Sequence, residues 1–483
     1  MTASAEDAKG GPSPALLGLL VFALVTSVSL SVGSRLVRFE FADGAADGGE
    51  WFVLGRNLAT FGVLGNGSEP VLHRPPGYPL WIAAVLRLAV DPRTHSIEEV
   101  NTRGPVALHI VDSFLLGLAS LLLFHWLAQR LRPSTALAAS VLLGTNAYTL
   151  VSVTLLHYGT LQWVLLLGLV LYLDAAFKKR DVDALGRFFL GGLFLGIATL
   201  VRPVTLLAPL ALLPVFLSFQ STRRERSRYL VFVLGMILSI APWTARNFAL
   251  TGRVIPINVQ GWNALFASTS EVAQHNPDRY EWGLLTLRHY MPIYRSITGE
   301  NEYTLETYQR NILRLEDAAR DASLTNIAAK PGTYLTNVRN AAVGLHTNIN
   351  AVFLTAFTRM QTGEPFIRPW ILIGVAKAMS RGPEANIFQF LHDLLLFAAL
   401  GGLLLAAWRR DFFLLPALAL WAAVVAVYAL TYLDFFYYSV KIPFLVAFAF
   451  YGLDALPRAP RYGVTFGLSF LSLAISWSMR LFG

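Results

Sequence analysis

Residues Ala15 to Gly33 read ALLGLLVFALVTSVSLSVG, an unbroken apolar run long enough to cross a bilayer as a helix. Glu6 and Asp7 stand beside Lys9 ahead of it and no clean A-x-A site follows, so it reads as a retained first span rather than a signal peptide. Similar runs recur at about 105–128, 135–150, 155–176, 187–201, 204–218, 229–246, 387–407, 412–431, 439–454 and 462–481. Composition agrees: 55% of residues are hydrophobic, 14% are charged, and the mean hydropathy is +0.51. These observations predict an all-α polytopic membrane protein with about eleven transmembrane helices. The formal charge of +9 is spread over short basic clusters between apolar runs, a topology signal rather than a nucleic-acid surface. With no cysteine, disulfides, thiolate chemistry and Cys-held metals are excluded.

The basic clusters orient the chain. A cytoplasmic N-terminus puts Arg130 and Arg132, Lys178 to Arg180, Arg223 to Arg228, Arg409 and Arg410, and Arg458 and Arg461 all inside. One span more or fewer would scatter them. The outer face then receives the 34–104 loop, the turn at Arg202, the long 247–386 segment and the 432–438 turn. Three regions follow: an N-terminal transmembrane module over 1–246, an external cap over 247–386, and C-terminal helices over 387–483.

The first external loop is the richest in chemistry. From Phe41 to Leu80 it reads FADGAADGGEWFVLGRNLATFGVLGNGSEPVLHRPPGYPL. The spacing predicts an amphipathic helix from about Gly49, with Asp47 at its N-terminal end and Glu50, Leu54 and Leu58 on one side. Asp47 there reads either as an N-cap or as an acid serving chemistry. Pro75-Pro76-Gly77 breaks the chain before Tyr78 to Val90, a run short for a span and read as interfacial or re-entrant. Arg74, Arg202, Arg246 and Lys441 all fall at outer span ends, against the positive-inside bias. They read either as snorkelling to headgroups or as an anion-binding rim. Trp51, His73 and Tyr78 are candidate substrate contacts, with belt aromatics and a local loop role as the alternatives.

Several patterns resemble the GT-C class of membrane glycosyltransferases, in particular the protein O-mannosyltransferase and lipid A aminoarabinose transferase branch. The loop carries Asp47, the Glu50-Trp51 pair, Arg56-Asn57-Leu58 and Arg74-Pro75-Pro76-Gly77-Tyr78-Pro79. Gly196 to Pro203 (GIATLVRP) resembles the family's G-x-A-x-L-x-R-P helix end. Ala241 to Asn247 (APWTARN) with Gly252 resembles its P-W-x-x-R-N helix end. Two departures stand out. The late R-Y-x-x-P pattern is matched only at Lys441 and Pro443, and the family's Glu before Thr-Leu is absent at Tyr158-Gly159-Thr160-Leu161, where His157 reads either as a substitute or, more simply, as a buried, hydrogen-bonded histidine.

The resemblance implies juxtamembrane helices in the first external loop and a sugar donor carried on a polyprenyl phosphate. It implies inverting transfer to an acceptor hydroxyl or amine on a lipid, glycan or protein at the external face of a cytoplasmic membrane. Asp47 is the implied base, Asp43 its alternative, and Glu50 a third acid; Arg74, Arg202, Lys441 and Arg246 are the implied phosphate ligands. Some members use a divalent cation, for which Asp43, Asp47 and Glu50 are the available hard ligands. Rival readings are a flippase of lipid-linked sugars and a non-catalytic GT-C-like subunit.

Overall fold

The computed structural model describes residues 13–36, 47–66, 69–146, 149–150, 153, 158–178, 184–218, 223–269, 282–347, 383–431 and 441–455. In chain order the described helices are α1 (Pro14–Leu36), α2 (Asp47–Phe61), α3 (Gly77–Ala89), α4 (Ile97–Leu127), α5 (Pro133–Thr145), α6 (Gly159–Lys178) and α7 (Ala184–Val201). They continue as α8 (Ala208–Ser218), α9 (Arg223–Thr251), α10 (Gly261–Thr269), α11 (Trp282–Thr298), α12 (Leu305–Ala329) and α13 (Pro331–Thr347). The last are α14 (Pro383–Arg409), α15 (Leu415–Leu430) and α16 (Ile442–Asp454). A two-residue antiparallel hairpin, Gly65–Asn66 with Glu69–Pro70, joins α2 to the segment before α3.

Among the described residues, six helical stretches are long and apolar enough to cross a membrane: Pro14–Val32, Ile97–Leu127, Gly159–Lys178, Ser227–Thr251, His392–Arg409 and Phe412–Leu430. Five further apolar helices are shorter, Pro133–Thr145 and Ile442–Asp454 among them. The expected spans at 135–150, 187–201, 204–218 and 439–454 fall on these shorter helices, and the one at 462–481 lies outside the described residues.

Helix ends follow local chemistry. Ser96 and Glu99 form a capping box that starts α4 some two turns before the apolar run, with Glu99 N donating to Ser96 Oγ at 3.2 Å and Ser96 N to Glu99 Oε2 at 3.1 Å. α9 closes on Gly252, whose φ of 66° is a left-handed turn that glycine reaches without strain. That turn sends the chain back along α9.

The main core is built where α4 packs on α1, α5 and α6, where α7 runs along α9, and where α14 runs along α16. A second cluster lies beside it around Trp51, Phe52, Tyr78, Ile82, Leu86, Val100, Leu108 and Tyr158. This places α2 differently from the amphipathic helix expected at the surface. Trp51, Phe52, Leu54, Asn57 and Ala59 are all buried, and Phe61 is the one exposed side chain among those described on α2. The 247–386 segment contributes a third core on α10, α11 and α12, against which Leu72 packs.

Candidate active site

The site begins with how α2 is held. Arg87 in the last turn of α3 donates to the Ala59 carbonyl at 2.9 and 3.1 Å, and Arg56 donates to Asn101 Oδ1 at 2.7 Å. Asn57 Nδ2 donates to the Gly65 carbonyl at 2.8 Å, closing the hairpin onto the helix. These contacts fix the face carrying Glu50 and Trp51, with Asp47 one turn earlier on the same side. α2 starts at Asp47 itself; its side chain, and the whole of Asp43 and His157, lie outside the described residues.

The chain at 71–73 is pinned from both sides. Val71 N donates to the Leu64 carbonyl at 2.9 Å and Val259 N to the Leu72 carbonyl at 2.8 Å, while Asn258 Nδ2 reaches the His73 carbonyl at 2.9 Å. The Pro242-Trp243-Thr244-Ala245-Arg246-Asn247 motif supports this from α9. Trp243 Nε1 donates to the Ile257 carbonyl at 2.7 Å, Thr244 Oγ1 to the Pro256 carbonyl at 3.0 Å, and Asn247 Nδ2 to the Ile255 and Ile257 carbonyls at 3.0 and 2.9 Å. Arg246 stacks on Trp243 at 4.5 Å and donates to the Val71 carbonyl at 3.1 Å and to Asn247 Oδ1 at 3.0 Å. Arg246 thus holds the backbone that leads to His73 and Arg74, while Trp243, Thr244 and Asn247 hold the 255–257 backbone beside it.

So held, His73 and Arg74 converge on Glu50. His73 Nε2 bonds Glu50 Oε1, and Arg74 bonds Oε2 through Nη2 and, at 3.0 Å, through Nε. Burial pushes the Glu50 carboxyl up, but the Arg74 charge and the His73 hydrogen bond outweigh it and hold the group at about 2. Glu50 is therefore a fixed anion at any ordinary pH. Both of its oxygens serve these two partners, which suits an ion-pair anchor better than a metal ligand. Among the described residues, no group of three or more His, Asp or Glu is placed to hold a metal ion.

Beneath this triad lies an aromatic platform. Trp51, Tyr78 and Tyr158 meet edge to face, with centroids 5.9, 6.1 and 6.2 Å apart. The Arg74 guanidinium sits 4.8 Å from the Trp51 ring centre and that of Arg202 4.4 Å from the Tyr158 ring centre. Gly77 brings the two arginines to one platform. A Cβ there would stand 2.6 Å from Val201 N and 2.7 Å from the Leu200 carbonyl carbon, so only glycine lets the start of α3 lie against the end of α7.

Arg74 and Arg202 thus share one aromatic cluster with Glu50, Trp51, His73 and Tyr78. Arg246 serves the loop backbone instead, and Lys441 is fully buried at the head of α16, in front of the main core. The third core reaches the site through Tyr308 of α12, whose ring meets His73 edge to face at 6.3 Å; Tyr303 stands beside it at 5.7 Å and lies within reach of the Glu50 charge. Sequence reasoning did not single out Tyr158 as an arginine partner, nor Tyr308. It also passed over Asp112, a fully buried acid in the middle of α4. The signal for Asp112 was available, since an ionisable residue inside a predicted span is a functional candidate by default.

No family model and no curated protein sequence matches the chain. Among solved structures it is similar to the archaeal oligosaccharyltransferase AglB from Archaeoglobus fulgidus in complex with an inhibitory peptide and a dolichol-phosphate. Identity is 12% and the TM-score 0.51, over 96% of this chain and 55% of that one. It is also similar to ArnT from Cupriavidus metallidurans bound to undecaprenyl phosphate, at 13% identity and a TM-score of 0.39, over 89% of this chain and 77% of that one. The chain spans about half the length of the oligosaccharyltransferase it matches. At these identities the likeness is one of fold. With its apolar helices and the helical loop between its first two candidate spans, the chain shares the fold of that oligosaccharyltransferase over nearly all of its own length.

Proposed function

We propose that the chain moves a sugar from a polyprenyl-phosphate donor to an acceptor hydroxyl or amine at the external face of a cytoplasmic membrane, with inversion. The observation that carries this reading is the pair of arginines on one aromatic platform, Arg74 over Trp51 and Arg202 over Tyr158. A lipid phosphate is a compact anion at the membrane surface, and guanidinium groups that are partly desolvated and oriented by ring faces and a carboxylate meet it with charge-assisted hydrogen bonds. The matched oligosaccharyltransferase was solved with a dolichol-phosphate, which supports a ligand of that kind.

In this reading Arg74 and Arg202 take the phosphate, Lys441 is the candidate for a third contact, and Arg246 maintains the loop. Glu50 orients Arg74 and is too acidic, at about 2, to act as an effective base. Asp47, one turn away, accepts the acceptor's proton as the new bond to the anomeric carbon forms. The bond from that carbon to the phosphate oxygen breaks on the opposite side, and its electron pair leaves with the polyprenyl phosphate. Stabilising that departing charge is the work of the arginines. Eleven spans with the N-terminus inside put the 34–104 loop and the 247–386 cap on the outer face, next to the C-terminal helices 387–483.

The test is transfer by purified protein in lipid nanodiscs, given radiolabelled polyprenyl-phosphate sugars and membrane extract as acceptor. Wild type transfers label, and Asp47→Asn loses about 10²- to 10⁴-fold in rate. Full activity in Asp47→Asn removes Asp47 as base. Movement of lipid-linked sugar across the bilayer, with no transfer from any donor, replaces the transferase by a flippase.

A further inference from the structure

Asp112 is the most deeply placed acid of the described structure that the proposed chemistry leaves unused. It is wholly buried in α4, and neither of its carboxylate oxygens makes a hydrogen bond within the protein. Around it stand donors in the same position. Thr160 Oγ1 of α6 lies beside the carboxylate without hydrogen-bond geometry, and the Tyr78 phenol of α3 lies within the field of the Asp112 charge. Tyr78 OH and Trp51 Nε1 are both enclosed and unbonded. Polar atoms so enclosed are bonded in folded proteins, directly or through bound water. Of these four side chains, Asp112 is the one pure acceptor and the others all donate. Trp51 carries Arg74, and Tyr78 touches both Trp51 and Tyr158, the ring that carries Arg202.

We propose that Asp112 is a positioning residue: it anchors the polar edges of Tyr78 and Thr160 and so fixes the platform on which Arg74 and Arg202 lie. It acts on the arginines through the rings and touches no substrate. The inference rests on the phosphate-binding reading of those arginines. In a membrane interior the anchor is strong because the alternative, an unpartnered carboxylate in a span, is costly.

Full-length protein in nanodiscs is titrated with polyprenyl phosphate carrying no sugar, so that binding is read without turnover. Asp112→Leu weakens binding by about ten-fold, Asp112→Asn, which keeps an acceptor oxygen, by about three-fold or less, and Tyr78→Phe resembles Asp112→Leu. The double variant Asp112→Leu/Tyr78→Phe binds no worse than Asp112→Leu, because both remove one interaction. A merely structural role lowers the folded fraction and leaves the affinity of folded protein unchanged, which overturns the proposal; so do additive losses in the double variant. Should Asp112→Leu not fold, Tyr78→Phe decides, and wild-type affinity in that variant overturns the proposal. Wild-type protein that binds no polyprenyl phosphate overturns the transferase reading and this one with it, whereas binding indifferent to both sites overturns this one alone.

Discussion

Arg74 and Arg246 make the same kind of ring contact, 4.8 Å over Trp51 and 4.5 Å over Trp243, yet their hydrogen bonds end on different things. Those of Arg246 go to the Val71 carbonyl and an amide oxygen, neutral groups that a peptide chain always has to satisfy. Those of Arg74 go to Glu50, itself shared with His73. A cation on carbonyls finishes a fold. A cation oriented by a carboxylate, on a ring that packs against the ring carrying a second arginine, is arranged for an anion that arrives from outside. Sequence position alone put the two arginines in one class, and their partners separate them.

The largest expected effects come from breaking this contrast directly. Arg74→Gln lowers transfer by folded molecules by about 10²- to 10³-fold, because charge stabilisation in the reaction is lost, and it also lowers the thermal midpoint, because the enclosed Glu50 carboxylate loses its cation. Arg246→Gln acts chiefly on stability. It leaves the Val71 carbonyl short of a donor, destabilises the protein by about 1–3 kcal/mol, and costs folded molecules much less activity. Midpoints and single-turnover rates measured side by side check both. Equal losses of activity at equal folded fraction would show that the two arginines do one job.

Gly77→Ala sharpens the contrast by separating the arginines without touching either. The added methyl meets the Val201 and Leu200 backbone, which cannot rotate away, so α3 and α7 must part. Overpacking of this sort costs about 1–3 kcal/mol, and the platform shared by Tyr78 and Tyr158 opens with it. Affinity for polyprenyl phosphate then falls by about ten-fold. Unchanged affinity would mean that Arg74 and Arg202 do not act on one ligand.

What the sequence disclosed, and what it withheld, follows from the range of each interaction. The apolar runs and the break at Pro75-Pro76-Gly77 are local signals, and helices stand close to the described runs and, at Gly77–Ala89, directly after the break. The gathering of Glu50, His73 and Arg74 was suggested by their sharing one loop. Beyond that the information is tertiary. That α2 is enclosed rather than laid on the surface depends on Ile82 of α3, Leu108 of α4 and Tyr158 just ahead of α6. That Arg246 is spent on carbonyls depends on where the segment around Leu64 and Val71 lies against α9. Gly77 reads as a turn residue in the sequence, whereas its close contact is with residues more than a hundred positions away.

The smallest expected effect concerns a second acid, Glu316, which differs from Glu50 as Arg246 differs from Arg74. Glu316 accepts from Trp262 N at 3.0 Å and Asn263 N at 3.4 Å at the start of α10, and Asn263 Nδ2 reaches Tyr308 OH at 3.0 Å, the ring that meets His73. Burial pushes its carboxyl up to about 7, against the pull of those two N–H groups. The folded cap therefore binds the proton more tightly than the unfolded chain, whose carboxyl titrates near 4.5. Cap stability is greatest below that value and declines as pH rises through about 7, by roughly 3 kcal/mol at most. Glu50, held at about 2, adds no slope in this window. Amide exchange at Trp262 and Asn263, corrected for its intrinsic pH dependence, should reveal weakening protection from pH 5 to pH 8 in wild type and a flat profile in Glu316→Gln. Protection that is flat in wild type, or sloped equally in both, would mean that Glu316 is ionised throughout, as Glu50 is, and that the cap holds the His73 ring without regard to pH.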